Sequence, residues 1–381
     1  MIDYSARLRR VQERMSAQGV DLLFLSRSAN LSYVTGLVRE EPNFGNTMYP
    51  GEWVTGAWIA QRGETILTVP RMVADFHAVE AGATEVRVLG AADNGVAMAA
   101  SVLESLHIAA DARIAVEDRS WAESLLNMQA LRPHATFSLA SSVLGPLRRV
   151  KDADEIAVLR AAGAITEAAY ADTLPRLKHG MTNLDLITEV NYQLRKHGST
   201  APSFVTSFYN MSATFPFDFH NREEVLQIPL NAPISISFDF GAVWQDYCYD
   251  FGRSVFFGEP DAEFRRIYEL VMASQAAGIR ALSVGGTCEK ADAAARAVIV
   301  EGGYGEAFRH RLGHGIGMDV HEPPFLTAGD ATELVEGMCF TVEPSIFMPH
   351  HMGARVEDVV VVRPGGGEAL TTGFQSLHVV A

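Results

Sequence analysis

Two pairs of acidic residues lie inside apolar, strand-like runs, where a lone charge is costly. The first pair is Asp239 and Asp250 in ISISFDFGAVWQDYCYDFGRSVFF; the second is Glu343 in MCFTVEPSIF and Glu357 in GARVEDVVVV. Between them, HRLGHGIGMDVHEPP gathers His310, His314 and His321 among Gly313, Gly315 and Gly317. A hairpin centred on Trp244 and Gln245 sets Asp239 directly opposite Asp250, with Cβ atoms roughly 4.5–5.5 Å apart. Carboxylates that close repel, and one protonates unless a cation sits between them. A turn at Pro349–His351 opposes Glu343 and Glu357 in the same way. Arg355, two residues before Glu357, shares its strand face and would hold a ligating carboxylate in position.

The blander readings are solvated aspartates at strand ends and satisfied core histidines. The apolar flanks weigh against the first. The glycines, which let backbone approach a site closely, weigh against the second. Four carboxylates and one imidazole form an oxygen-rich donor set suited to Mn²⁺ first, with Co²⁺, Zn²⁺ or Fe²⁺ open by geometry. That is more than one ion needs, so two divalent ions per chain, sharing carboxylates, is the natural arrangement.

Such a set must be positioned by strands, and the sequence supplies them in the second half of the chain. From about Ile234 onward strands dominate, with helices expected at roughly 260–283 and 287–302. Upstream, Leu8, Val11 and Met15 recur at helical spacing and Gly19 stops that helix. Buried strands follow at 21–25, 58–60, 66–69 and 114–116, alternating with helices as in an α/β domain. A new helix opens near Lys151 with Asp152 and Asp154 in its first turn. The boundary is therefore put at Leu147, giving domains 1–147 and 148–381.

With 381 residues, two domains is the sensible prior. A hydrophobic fraction of 48% with 20% charged residues marks a soluble globular chain. The net charge of −15 argues against nucleic acid. No apolar run approaches the roughly 20 residues that span a bilayer, so no membrane association is expected. The N-terminus has no secretion-signal pattern, so a cytoplasmic location is expected. Cys248, Cys288 and Cys339 lack C-x-x-C spacing and read as buried free thiols.

At this point the chain resembles the pita-bread metallopeptidase family of aminopeptidase P, prolidase and the creatinase-like proteins. His310-Arg311-Leu312-Gly313-His314-Gly315-Ile316-Gly317-Met318-Asp319-Val320-His321-Glu322 is similar to its proline-peptidase signature. RLRRVQERMSAQGVDLLFLSRSANLSYVTGL resembles the start of the creatinase/prolidase N-terminal domain, and LRRVKDADEIAVLRAAGAI the helix that opens the catalytic domain. The resemblance implies an α/β N-terminal domain plus an α+β pita-bread catalytic domain, hydrolysis of an amide C–N bond, and a homodimer. It implies that Asp239 holds one metal, Asp250 bridges, His314 and Glu343 hold the second, and Glu357 bridges. His220, in FPFDFHN, matches a family histidine, and His310 and His321 would line the substrate side. Glu343 would carry the proton from the attacking water to the leaving nitrogen.

Two departures bear on substrate. The family usually reads F-T-R after the bridging aspartate, whereas here the run is Phe251-Gly252-Arg253. Many of its dipeptidases place an arginine for the substrate carboxylate where this chain has Phe325. An Xaa-Pro dipeptidase or aminopeptidase is the leading expectation. The alternative is a hydrolase of the same fold acting on a small cyclic amide or amidine, as in ectoine hydrolysis. The aromatic stretch EEPNFGNTMYPGEWVTGAW offers Tyr49, Trp53 and Trp58 as pocket residues, with packing inside their own domain as the competing reading.

Overall fold

Asp3 accepts a hydrogen bond from the Ala6 amide, and Gly19, in the left-handed region at φ 67°, ends the helix Tyr4–Gln18. Its buried face is Arg7, Val11 and Met15, with Leu8 only half-buried. Arg7 points inward because its guanidinium donates to the Tyr33 carbonyl at 3.1 Å and lies over the Tyr33 ring at 4.0 Å. The computed structural model to which this helix belongs describes residues 2–37, 50–76, 83–216 and 222–381. They form two compact units, Met1–Arg148 and Arg149–Ala381.

The first unit is built on β1 (Leu22–Leu25), β2 (Gly56–Ala60), β3 (Thr65–Pro70), β4 (Glu85–Leu89), β5 (Arg113–Val116) and β6 (Thr136–Leu139). They form one sheet in the order β4-β3-β2-β1-β5-β6. The β1–β2 and β2–β3 pairs are antiparallel and the other three are parallel. Trp58 is fully buried in this sheet, with its ring centroid 4.3 Å from that of Phe24 and its Nε1 donating to Thr68 at 3.0 Å. Trp53 is 5% exposed and packs in the same core, with Leu22, Phe24 and Leu89 among its members. Both tryptophans pack in the core of their own unit. Tyr49 lies outside the described residues. Trp53→Ala is expected to destabilise this unit by about 3–5 kcal/mol, read by urea unfolding. A stability within 1 kcal/mol of wild type would refute that assignment.

The second unit begins with a capping box. Asp152 accepts from the Glu155 amide and the Glu155 carboxylate accepts from the Asp152 amide, opening the helix Ala153–Thr173. Its strands are β7 (Ser207–Met211), β8 (Ile234–Phe240), β9 (Val243–Trp244), β10 (Tyr247–Cys248), β11 (Phe251–Phe257), β12 (Gly313–Gly315), β13 (Glu322–Leu326), β14 (Cys339–Val342), β15 (Ser345–Met348), β16 (Met352–Arg355), β17 (Asp358–Val361), β18 (Glu368–Ala369) and β19 (His378–Val380). One sheet runs β19-β11-β8-β7 and another β13-β12-β14-β17-β18, with β9–β10 and β15–β16 as short hairpin extensions. Helices Ala262–Ala281 and Cys288–Glu301 pack on an apolar core that includes Phe264, Val271, Leu312, Phe340 and Val360. Among the described residues no helix is long and apolar enough to cross a membrane. Cys248, Cys288 and Cys339 are buried and form no disulfide, and burial pushes the thiols of Cys288 and Cys339 up to about 12.

Candidate metal centre

The two acidic hairpins form, but one of them is displaced from the expected register. Tyr247 pairs with Trp244, which leaves Gln245 and Asp246 as a two-residue turn, with φ of 47° and 65°. Both turn residues need positive φ in such a hairpin. Asp tolerates that region better than most side chains, whereas a turn on Trp244 would force a bulky aromatic into it. The register then places Asp239 opposite Gly252 rather than Asp250. The shift is an even number of residues, so Asp239 and Asp250 keep a common face as diagonal neighbours. The second hairpin has the expected register. Val342 faces Asp358 and Ser345 faces Arg355, so Glu343 and Glu357 stand opposite each other between the two ladders. His350, at φ 62°, lies in the turn.

The hairpins meet at Gly252 and Glu357, which exchange backbone hydrogen bonds of 3.3 and 2.9 Å. A Cβ on Gly252 would lie 3.0 Å from Glu357 Oε2, so the departure at this position falls directly beside a candidate ligand. His314 comes from β12, which β14 holds in place. A Cβ on Gly313 would lie 1.9 Å from the Thr341 carbonyl oxygen, so only glycine allows this approach. The neighbouring His314 amide donates to Thr341 Oγ1 at 3.0 Å.

One donor atom each from Asp250, His314 and Glu357 lie within 4.8 Å of one another, and all three residues are buried. His314 Nδ1 is 3.0 Å from the Gly315 carbonyl and therefore carries the proton. This turns the Nε2 lone pair toward Asp250 Oδ2 at 3.6 Å and Glu343 Oε1 at 3.4 Å. Neither oxygen can donate to it, so the arrangement asks for a proton or a cation between them. Asp250 Oδ1 and both carboxylate oxygens of Glu357 are buried without a hydrogen-bond partner. Arg355 Nη2 does lie 2.9 Å from Glu357 Oε2. That closeness supplies charge but not an aligned hydrogen bond. Orphaned buried carboxylate oxygens around a free imidazole nitrogen fit divalent cations.

Arg355 organises the remaining acids. It donates to Asp239 Oδ2 at 2.8 Å and Glu343 Oε2 at 2.5 Å. Burial would lower its pKa, but the surrounding carboxylates outweigh that and raise it well above the usual range. Burial, with Asp250 and Glu343 adding to it against Arg355, raises the Asp239 carboxyl to about 6. Burial drives Glu357 well above the usual carboxylate range despite Arg355. For His314, burial would lower the pKa, yet Asp250 and Glu343 prevail and raise it. Two causes recur, burial of the carboxylates and the surplus of negative charge gathered around them.

The histidines divide by role. His310 Nδ1 is 2.7 Å from the Arg311 carbonyl and its Nε2 is 2.7 Å from Ser345 Oγ. Burial lowers its pKa, so the neutral ring donates to the carbonyl and accepts from the serine. His321 is exposed on one side, and its ring centroid lies 4.1 Å from that of His314. Its pKa is also lowered, by burial first and then by His314 and Arg311. His220 lies outside the described residues. Phe325 pairs with His314 across β12 and β13, so the two side chains share a face.

Sequence reasoning missed Tyr209 and Thr341. Tyr209 stacks on Phe347 with centroids 4.9 Å apart, and the Arg355 guanidinium lies 5.8 Å from its ring. Burial raises its hydroxyl pKa, with Asp239, Glu343 and Glu357 contributing and Arg355 opposing. Tyr209 alternates with Ser207, which faces Asp239, so it shares that side of the sheet once β7 has paired with β8. Thr341 donates to Glu343 Oε1 at 3.1 Å.

Comparison with known proteins agrees with this geometry. The family model described as Metallopeptidase family M24 matches residues 157–364, and the Creatinase/Prolidase N-terminal domain matches residues 7–150. An Xaa-Pro dipeptidase of Lactobacillus delbrueckii subsp. lactis is 30% identical over 98% of this chain and 98% of its own length. A dipeptidase structure from Pyrococcus horikoshii OT3 superposes with a TM-score of 0.87 at 29% identity, covering 98% of this chain and 100% of that one. An Xaa-Pro dipeptidase structure from Bacillus anthracis gives 0.84 at 26% identity, covering 99% and 100%. These likenesses do not favour the cyclic amide or amidine alternative. The fold is a creatinase-type N-terminal domain followed by a pita-bread domain, and the enzyme is a metal-dependent hydrolase. The chain belongs to metallopeptidase family M24, with a creatinase/prolidase N-terminal domain.

Proposed function

We propose that this enzyme is an Xaa-Pro dipeptidase or aminopeptidase, with Asp239, Asp250, His314, Glu343 and Glu357 holding two divalent ions. The observation that carries the metal assignment is the set of orphaned oxygens on Asp250 and Glu357 facing His314 Nε2. Relatives named Xaa-Pro dipeptidase over nearly the whole chain support the substrate class. Manganese is the preferred ion on the chemistry of the donors, four carboxylates and one imidazole. Ions bound here supply a Lewis acid and lower the pKa of water at the centre.

The remaining work falls to the chain's own groups. Arg355 fixes Asp239 and Glu343 by one oxygen each, so the acids keep their places whatever charge sits between them. Glu343 takes the proton from the attacking water and returns it to the leaving nitrogen. His321, neutral at pH 7 by its lowered pKa and open to solvent, donates an N–H to the developing oxyanion. His310, held by Ser345, forms part of the wall on the same side. We assign the enzyme to the cytoplasm and expect a homodimer, on its resemblance to prolidases.

The test is hydrolysis of a panel of Xaa-Pro dipeptides by protein reconstituted with Mn²⁺, with and without chelator. Turnover that chelation removes and Mn²⁺ restores is the expected result. No turnover by protein carrying about two metal ions per chain would overturn the substrate assignment and leave the metal centre standing.

A further inference from the structure

Among the described residues, half-buried arginines of the second unit such as Arg296 and Arg363 are paired with carboxylates. Arg149 and Arg311 each keep a buried Nε without a hydrogen-bond partner, and Arg311 is the one next to the signature histidines. Arg296 is held by Asp292 at 3.0 Å, and Arg363 donates to Glu368 at 2.8 Å. The buried Arg253 is matched by Asp358, and Arg355 by three carboxylates. Arg311 is different. Among the described residues no carboxylate pairs with it, and its Nε is buried without a hydrogen-bond partner. Its guanidinium lies over the Phe325 ring, 5.1 Å from the centroid. Phe325 stands opposite His314 on the neighbouring strand, so the cation is held on the ligand-bearing face. It is close enough to both His310 and His321 for its charge to bear on their rings.

A buried donor left unpaired is costly, and a guanidinium over an aromatic ring is attracted to that position by the ring. The fork is preorganised for a planar two-oxygen acceptor arriving from outside the protein. We propose that Arg311, braced by Phe325, binds the C-terminal carboxylate of the substrate and selects dipeptides over longer peptides. The proposal rests on the peptidase reading above. It also gives Phe325 a purpose. Where a dipeptidase would place its arginine on this strand, the chain places a ring that supports an arginine from the neighbouring segment.

The experiment compares an Xaa-Pro dipeptide with its C-terminal amide in wild type, Arg311→Gln and Arg311→Lys, all loaded with Mn²⁺. Wild type is expected to favour the free acid. In Arg311→Gln the KM for the acid should rise about 10–100-fold with kcat within a few-fold. The ratio of amide KM to acid KM should fall toward one, and Arg311→Lys should recover part of it. A merely structural role would impair acid and amide alike, and that result overturns the proposal, as does an unchanged ratio. If wild type cleaves neither compound, the peptidase reading falls and calorimetric binding of the same pair decides the matter. A preference for the acid that disappears in Arg311→Gln sustains the carboxylate site; no preference in wild type overturns it.

Discussion

Asp250→Asn is expected to abolish the rise in melting temperature that Mn²⁺ produces in the wild-type protein. Asp250 provides one of three donors that converge within 4.8 Å, and its Oδ1 has no other partner. An amide keeps the shape and removes the charge. At free Mn²⁺ a hundredfold above Kd, binding stabilises the native state by about 2.7 kcal/mol. For a unit of this size that is roughly 5–10 °C. The variant should show almost none of it, together with loss of hydrolysis. Without metal the sign reverses. Removing one buried anion from a cluster already short of positive charge should leave the melting temperature of the metal-free variant equal to or above that of metal-free wild type. A variant that keeps the full Mn²⁺ shift would dismiss Asp250 as a ligand.

Glu343→Gln should lower kcat about 10²–10⁴-fold, with KM changed only a few-fold. The glutamine keeps one accepting oxygen for Thr341 or Arg355, the two groups that fix Glu343 through Oε1 and Oε2, while its amide nitrogen only donates. What it cannot do is take a proton from water and give it to nitrogen. Because Glu343 is also a candidate ligand, the assay belongs at saturating Mn²⁺ with metal content measured on the same sample. A kcat within tenfold of wild type at full occupancy would assign proton transfer to another group.

How far the sequence carried these conclusions differs from element to element. The helix at residues 4–18 was legible because Gly19 marks its end, and the helix from 153 because Asp152 starts it. The register of the second hairpin was legible because Pro349 and His350 define its turn, and opposition of Glu343 and Glu357 follows from counting. The register of the first was not, since GAVWQDYC holds no glycine or proline at the turn itself. The choice between two centres depends there on which residues tolerate positive φ. Even so, the common face of Asp239 and Asp250 survived, because a two-residue slip preserves alternation. Arg355 was found by that same alternation. The burial of Trp53 was not legible because aromatic density beside glycine and proline reads as an exposed loop, whereas a single 3₁₀ turn, Glu52–Val54, carries it into the core. Tyr209 and Arg311 were invisible for a topological reason. Each matters through a pairing, β7 on β8 or β12 on β13, that no local pattern announces.

The bridge between Gly252 and Glu357 ties together two hairpins more than a hundred positions apart in the chain. A half-made molecule in which only the earlier hairpin has closed would own two aspartates and little grip on a cation. The imidazole and the glutamates arrive only when later strands dock, and loop closure over such distances is slow. Cation capture would therefore follow the search for the native topology rather than guide it. An ion lodged at this centre would count finished molecules, so that its occupancy becomes a tally of folding success in any batch of the protein.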